Sequence, residues 1–164
     1  MKRRKSTIGV IGGSKIDATI KHLAYEVGKH IALKGADLIC GGLGGVMEEV
    51  SRGAAEHDGT VIGFLPGEAK SEANPFVTIA LPTGMGIGRN TLIVRASDVI
   101  IAFPGSYGTL SEMALALNLG KTIIHLEGSW DIAKIGFVES NLFKEATTAS
   151  EAVGLALATI SMLP

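Results

Sequence analysis

The residues with the clearest chemical content lie together in the stretch Ser97 to Gly120, SDVIIAFPGSYGTLSEMALALNLG. An apolar run, Val99 to Phe103, stops at Pro104-Gly105. Ser106-Tyr107-Gly108-Thr109 then opens a segment with Leu110, Met113, Ala114 and Leu117 at helical spacing. This reads as a buried strand entering a helix through a turn of small residues. The first turn of a helix carries N–H groups without intrahelical partners, and the helix dipole adds partial positive charge there. Such a turn holds an anion, and phosphate is the expected guest. Gly105 and Gly108 let the backbone approach a ligand, Thr109 adds a hydroxyl donor, and Glu112 sits one turn in, facing the same mouth. The alternative is a helix start capped by solvent.

Two further glycine turns follow strand-like runs. Gly12-Gly13-Ser14 comes after Thr7 to Ile11, and Gly41-Gly42-Leu43-Gly44-Gly45 comes after Ala36 to Cys40. The first lacks the full spacing of a dinucleotide fingerprint, and no acidic residue closes the second strand to grip a ribose, so NAD is not expected. No glycine turn ends in Gly-Lys-Ser or Gly-Lys-Thr, which argues against ATP hydrolysis. The turn at Gly41 to Gly45 has more small positions than one tight turn needs. Anion contact is the expectation there, with packing of strand on helix as the alternative.

The elements that must position these turns alternate in type. Ile16 to Leu33 carries a helical stripe of Ile20, Leu23, Ala24, Val27, Ile31 and Ala32, and Val46, Met47, Val50 and Ala54 mark a second helix. Thr60 to Leu65 is a third strand, and Pro66-Gly67 turns it into a polar loop through Asn74, expected to be the most mobile segment. A fourth strand is expected over Phe76 to Leu81 and a short helix over Arg89 to Ala96. Lys121 to Leu126 and Leu142 to Ala146 are further strands, with one helical turn within Gly128 to Gly136. Thr148 to Met162 closes as a helix with Thr148 and Glu151 spaced as a capping box. Most strands are apolar on both faces. The pattern is α/β: a doubly wound, Rossmann-like, mostly parallel sheet of about seven strands with helices on both faces, in one domain over residues 1–164. Ligands in such sheets bind beyond the carboxyl ends of the strands, where Gly12, Gly41 and Gly105 all fall.

Composition narrows the partners. The 164 residues are 46% hydrophobic with a formal net charge of -1, and the only basic run, Lys2-Arg3-Arg4-Lys5, reads as a solvated tail. Nucleic acid is therefore not an expected partner. No apolar stretch reaches membrane-span length and no apolar segment follows the N-terminal charges, so a cytoplasmic protein without membrane contact is expected. The single cysteine, Cys40, closes an apolar run and reads as a buried structural thiol. His22, His30, His57 and His125 show no ligand spacing, so no metal site is expected. Arg95 is assigned to a subunit contact or to an ion pair with Asp98 or Glu112. Tyr107, inside the anion turn, is placed to stack on a ligand, whereas Trp130 is expected to pack over the sheet edge.

Gly41-Gly42-Leu43-Gly44-Gly45-Val46-Met47, Gly59 to Pro66, Gly88-Arg89-Asn90 and Pro104 to Glu112 together resemble the LOG-type Rossmann superfamily, whose members are often labelled lysine decarboxylases. The short chain and the Gly-Arg-Asn element are most similar to its molybdenum cofactor carrier branch. The resemblance implies a homo-oligomer, dimer or tetramer. It does not imply decarboxylation, because no pyridoxal phosphate lysine motif is present. In LOG enzymes a nucleoside monophosphate loses its base by hydrolysis of the N-glycosidic bond, served by an arginine and a glutamate. By motif position these are Arg89 and Glu112, with Thr109 and nearby amides on the phosphate and no cofactor required. A carboxylate can stabilise an oxocarbenium-like sugar or activate water, and a guanidinium can hold an anionic group.

This sequence departs from the enzymes at three places. Pro-Gly-Gly becomes Pro104-Gly105-Ser106, Arg-Lys becomes Arg89-Asn90, and the segment from Pro66 to Arg89 is short. The first reading is therefore a binding protein for a phosphate-bearing ligand, molybdenum cofactor or nucleotide, of the carrier type. A phosphoribohydrolase is the second reading and a non-catalytic nucleotide-binding regulatory module the third. The expected ligand contacts are Gly12, Gly13, Ser14, Gly41, Gly42, Gly44, Gly45, Met47, Arg89, Asn90 and the run Pro104, Gly105, Ser106, Tyr107, Gly108, Thr109, with Glu112. Asn90 can meet a pterin or base edge, or serve in capping or inter-helix bonding.

Overall fold

The computed structural model describes residues 4–126, 128–134, 136, 139 and 141–164. Among these residues seven strands and five helices follow in the order β1 (Thr7–Ile11), α1 (Ala18–Leu33), β2 (Asp37–Cys40), α2 (Val46–Ala55), β3 (Val61–Leu65), β4 (Ile79–Pro82), α3 (Asn90–Ala96), β5 (Val99–Ala102), α4 (Tyr107–Asn118), β6 (Ile123–Leu126), β7 (Phe143–Ala146) and α5 (Ala149–Ile160). Single 3₁₀ turns stand at Lys70–Glu72, Gly86–Arg89 and Ile132–Lys134. The strand order is β4-β3-β2-β1-β5-β6-β7. All six pairings are parallel, so the sheet is wholly rather than mostly parallel.

The chain steps outward from β1 to β4, returns to the centre for β5, and then steps outward the other way. The crevice where the direction changes therefore opens between the carboxyl ends of β1 and β5. Alternate residues of each central strand face opposite layers. Ile8, Val10, Leu38, Val61, Val99 and Ile101 pack under α1, α2 and α5, while Ile11, Ile39, Ile100, Ala102 and Ile123 pack under α3 and α4. Burial on both faces explains why these strands are nearly continuous apolar runs.

Helices α1 and α2 touch through glycine. A Cβ on Gly28 would stand 1.9 Å from the Val50 carbonyl oxygen, and one on Gly53 would stand 2.0 Å from that of Tyr25. The obstacle is backbone, so relief requires the helices to separate. Gly28→Ala is expected to destabilise the protein by about 2 kcal/mol, overpacking outweighing the helix-propensity gain of about 1 kcal/mol. The check is the urea midpoint, which should fall without a change of slope.

Several boundaries differ from expectation for local reasons. Helix α1 starts at Ala18 rather than Ile16 because Asp17 caps it, accepting from Ile20 N at 2.8 Å. Strand β4 starts at Ile79 rather than Phe76, since the Asn74 side chain accepts from Phe76 N at 3.1 Å and holds that stretch in a turn. Asn74 also donates from its backbone to Gly42 O at 2.8 Å and from Nδ2 to Leu43 O at 3.0 Å, tying the polar loop to the β2–α2 turn. Arg89 ends a 3₁₀ turn, and α3 proper begins at Asn90. At α5, Thr148 Oγ1 accepts from Glu151 N, but the Glu151 carboxylate reaches back to Thr147 N, one residue earlier than a capping box requires.

Cys40 is fully buried, with Sγ 3.5 Å from Ser51 Oγ, and burial pushes its thiol pKa up. Arg95 is exposed and, among the described residues, pairs with neither Asp98 nor Glu112; the Asp98 carboxylate accepts instead from Thr7 N and Oγ1. Among the described residues no helix is long and apolar enough to cross a membrane.

Candidate functional site

The switch-point crevice is assembled from the loop after β1. Gly13 N donates to Pro104 O at 2.9 Å, and Gly13 O accepts from Val46 N at 3.0 Å, so this loop ties the turn before α4 to the start of α2. The fit is close: Gly45 has φ +69° and a Cβ there would stand 2.4 Å from Gly13 O. Between the loops lies a cavity of about 150 Å³. Gly12, Gly13 and Ser14 line it from β1, Gly41 and Met47 from the β2–α2 connection, Arg89 and Asn90 from α3 and its lead-in, and Ser106, Gly108, Thr109 and Glu112 from α4. Pro104 and Gly105 line an adjoining cavity of about 460 Å³, which shares Gly13, Ser14 and Ser106 with the first.

Not every expected residue lines this cavity. Of the glycines from 41 to 45 only Gly41 lines the cavity. The first amide of α2, Val46 N, is already used by Gly13 O, and Glu48 and Glu49 lie in that helix's first turn; Gly42 and Gly45 are closely packed at positive φ, whereas a Cβ on Gly44 would meet nothing nearer than the Glu48 carboxylate at 3.9 Å. Tyr107 points outward, 81% exposed, and stacks on Trp130 with ring centroids 6.2 Å apart. Trp130 does not simply cover the sheet edge: its Nε1 donates to Gly105 O at 3.0 Å and to Ser106 O at 3.3 Å. Sequence reasoning missed the apolar floor of Val10, Ile11 and Ile93. The position of the first two at the carboxyl end of β1 was a usable signal.

The electrostatics centre on two buried charges. Arg89 is 8% exposed and donates from Nε to Phe64 O at 2.7 Å, from Nη2 to Gly41 O at 3.4 Å and from Nη1 to Asn90 Oδ1. Burial lowers its pKa, yet a guanidinium stays protonated. The Asn90 oxygen is thus taken by Arg89, leaving its NH₂ free to meet a ligand. Glu112 is 7% exposed, and burial pushes its carboxyl from 4.5 to about 7 against the opposing pull of Arg89. Thr109 is 4% exposed. Among the described residues neither the Thr109 nor the Glu112 side chain is hydrogen-bonded, and no fully enclosed side-chain polar atom lacks a partner. Their free polar atoms therefore open onto the cavity.

The arrangement can hold an anion on the α4 entrance and offer it a fixed cation, and it presents a carboxyl that carries a proton near neutrality. Among the described residues no cluster of three or more His, Cys, Asp or Glu could hold a metal ion.

A wholly parallel sheet with a glycine-lined cavity at its switch point places the protein among the Rossmann-like α/β proteins. The chain belongs to the SLOG cluster4 family, whose model matches residues 5–159. Its structure is similar to that of the molybdenum cofactor binding protein of the phototrophic bacterium Rippkaea orientalis: TM-score 0.87, 38% identity, 96% of this chain and 98% of the other covered. It is also similar to the Moco carrier protein of Chlamydomonas reinhardtii, with TM-score 0.86, 33% identity and coverage of 98% and 100%. In sequence it is 34% identical over 114 residues to the rice (Oryza sativa subsp. japonica) cytokinin riboside 5'-monophosphate phosphoribohydrolase LOG, covering 66% of this chain. It spans about half of that relative's length, 46%.

Proposed function

We propose that this protein binds a phosphate-bearing small molecule at the α4 entrance and acts as a carrier, with molybdenum cofactor or a nucleotide as its cargo. The observation that carries this reading is the pair of buried, unpartnered polar side chains, Thr109 and Glu112, opening onto the cavity beside Arg89. The likeness to a molybdenum cofactor binding protein over nearly the whole chain supports the cargo class. A volume of about 150 Å³ falls below the 300–1,000 Å³ of usual ligand sites, so it suits a phosphate and a sugar-sized neighbour. The adjoining 460 Å³, which shares Gly13, Ser14 and Ser106 with the first cavity, offers the further room that a pterin needs. The exposed apolar residues Ile79 and Leu81 on β4, with Met85 and Ile87 in the turn from β4 to α3, are where we place contact with a second copy of the chain.

A second reading, hydrolysis of the N-glycosidic bond of a nucleoside 5'-monophosphate, is favoured by one specific feature. Glu112, with a pKa of about 7, and Arg89 face the same cavity, the residue types that chemistry uses. Incubation with AMP and cytokinin riboside monophosphates, followed by chromatography for free base, separates the readings. Tight binding of molybdopterin with no base released is the expected result, whereas turnover abolished by Glu112→Gln would replace the carrier with the enzyme.

A further inference from the structure

We infer that Trp130 is a positioning residue for the anion turn: its indole N–H holds the Gly105 and Ser106 carbonyls on the outer side, which aims the amides of Ser106 and Tyr107 at the ligand. The inference rests on the reading that this turn holds an anion. In a trans peptide the C=O and the following N–H point in opposite directions, so a donor that fixes an oxygen outward fixes the next N–H inward. Gly105 O accepts from Trp130 Nε1 at 3.0 Å and, among the described residues, from nothing else. Ser106 O accepts from the same nitrogen at 3.3 Å while also taking the first bond internal to α4, from Leu110 N at 3.1 Å. The indole thus grips the two peptide units that lead into the helix.

The grip is anchored from outside the turn. Ser129 N donates to Leu126 O at 3.0 Å, tying the segment that carries Trp130 to the end of β6, the neighbour of β5. The Tyr107 ring stands beside the indole, centroids 6.2 Å apart and planes 26° from parallel. An anion cradle built of amides is effective only when its dipoles point at the ligand before it arrives. Helix α4 supplies the field, and Trp130 supplies the direction of the peptides in front of it.

Trp130 is the only tryptophan in the chain, so its emission reports on the surroundings of this one residue. Titrating the wild-type protein with inorganic phosphate, and separately with AMP, is expected to shift tryptophan emission along the binding curve measured by calorimetry. Trp130→Phe keeps an aromatic ring beside Tyr107 but loses the donor, and its affinity for phosphate should fall about 10-fold, the worth of one hydrogen bond of about 1.4 kcal/mol. Trp130→Phe that lowers the melting temperature yet binds phosphate as the wild type does would overturn the inference and leave the anion site standing. A Trp130 indole N–H that NMR shows exchanging with solvent as fast as a free indole in the wild type would do the same, and decides alone if the variant does not fold. No binding of either probe by the wild type would remove both.

Discussion

Glu112→Gln is expected to raise the melting temperature at pH 8 by roughly 6–12 °C and to leave it almost unchanged at pH 4. Burial holds the Glu112 carboxyl at about 7 rather than 4.5, so the folded protein keeps its proton more tightly than the unfolded chain does. Stability then falls with rising pH between those two values, since the folded state binds more protons there. The deficit accumulates to about 3 kcal/mol above pH 7, and in a chain of this size each kcal/mol moves the melting temperature by roughly 2–4 °C. Below pH 4.5 both states carry a neutral carboxyl, and glutamine of nearly the same shape changes little. An equal effect at the two pH values would show that Glu112 ionises normally and that the cavity does not desolvate it.

The same substitution has a binding consequence of opposite interest. An ionised Glu112 beside the α4 entrance repels an anion, so the affinity of the wild type should decline as pH rises through 7. Sulfate is the appropriate probe, because its own charge is constant over that range while phosphate titrates within it. Glutamine should flatten the profile, leaving sulfate affinity at pH 8 near the wild-type value at pH 6. The acid group is thus expected to weaken both folding and anion retention at high pH, a cost that a proton on Glu112 serving the ligand would offset. For a carrier that proton donates a hydrogen bond to an anionic oxygen, and for a hydrolase it is available to the leaving group.

How far the sequence disclosed this site can be followed residue by residue. Strand β1 was legible as Thr7–Ile11, because a strand buried on both faces writes an unbroken apolar run between punctuating glycines. The three glycine turns were legible as one edge of the sheet, since a right-handed parallel fold leaves them no other place. What their glycines do was less legible. Gly105 and Gly45 look alike in sequence, yet one stands in front of an open helix entrance and the other behind an amide already used by Gly13 O. That difference is a tertiary hydrogen bond, and composition cannot encode it. The direction of the Tyr107 ring was illegible for a related reason: a residue in the first turn of a helix can contribute its amide to one side while its ring points to the other. Trp130 acts on the turn across 24 to 25 residues of chain, beyond any local pattern.

Arg89→Met is expected to weaken sulfate binding at pH 6 by 10- to 100-fold, since charge-assisted hydrogen bonds to a buried cation contribute about 1.5–3 kcal/mol. It should also destabilise the protein, because Arg89 bridges three elements. Its Nε bond to Phe64 O closes the end of β3, its Nη2 bond reaches Gly41 O after β2, and its Nη1 bond orders Asn90. Methionine fills the stem's volume but leaves two carbonyls and an amide without that donor, at about 1–3 kcal/mol for each group not rescued by water. The loss should depend on Glu112. Arg89 is the group that pulls the Glu112 carboxyl down against burial, so its removal at pH 8 strands an ionised carboxylate or forces a proton onto it. In a Glu112→Gln background that part of the penalty disappears. A double-mutant cycle at pH 8 should therefore show Arg89→Met costing less stability in the glutamine background, by about 1 kcal/mol or more, and the coupling should vanish at pH 4. Coupling that persists at pH 4 would mean the two side chains interact through packing rather than charge, and the electrostatic account of the cavity would fail with it.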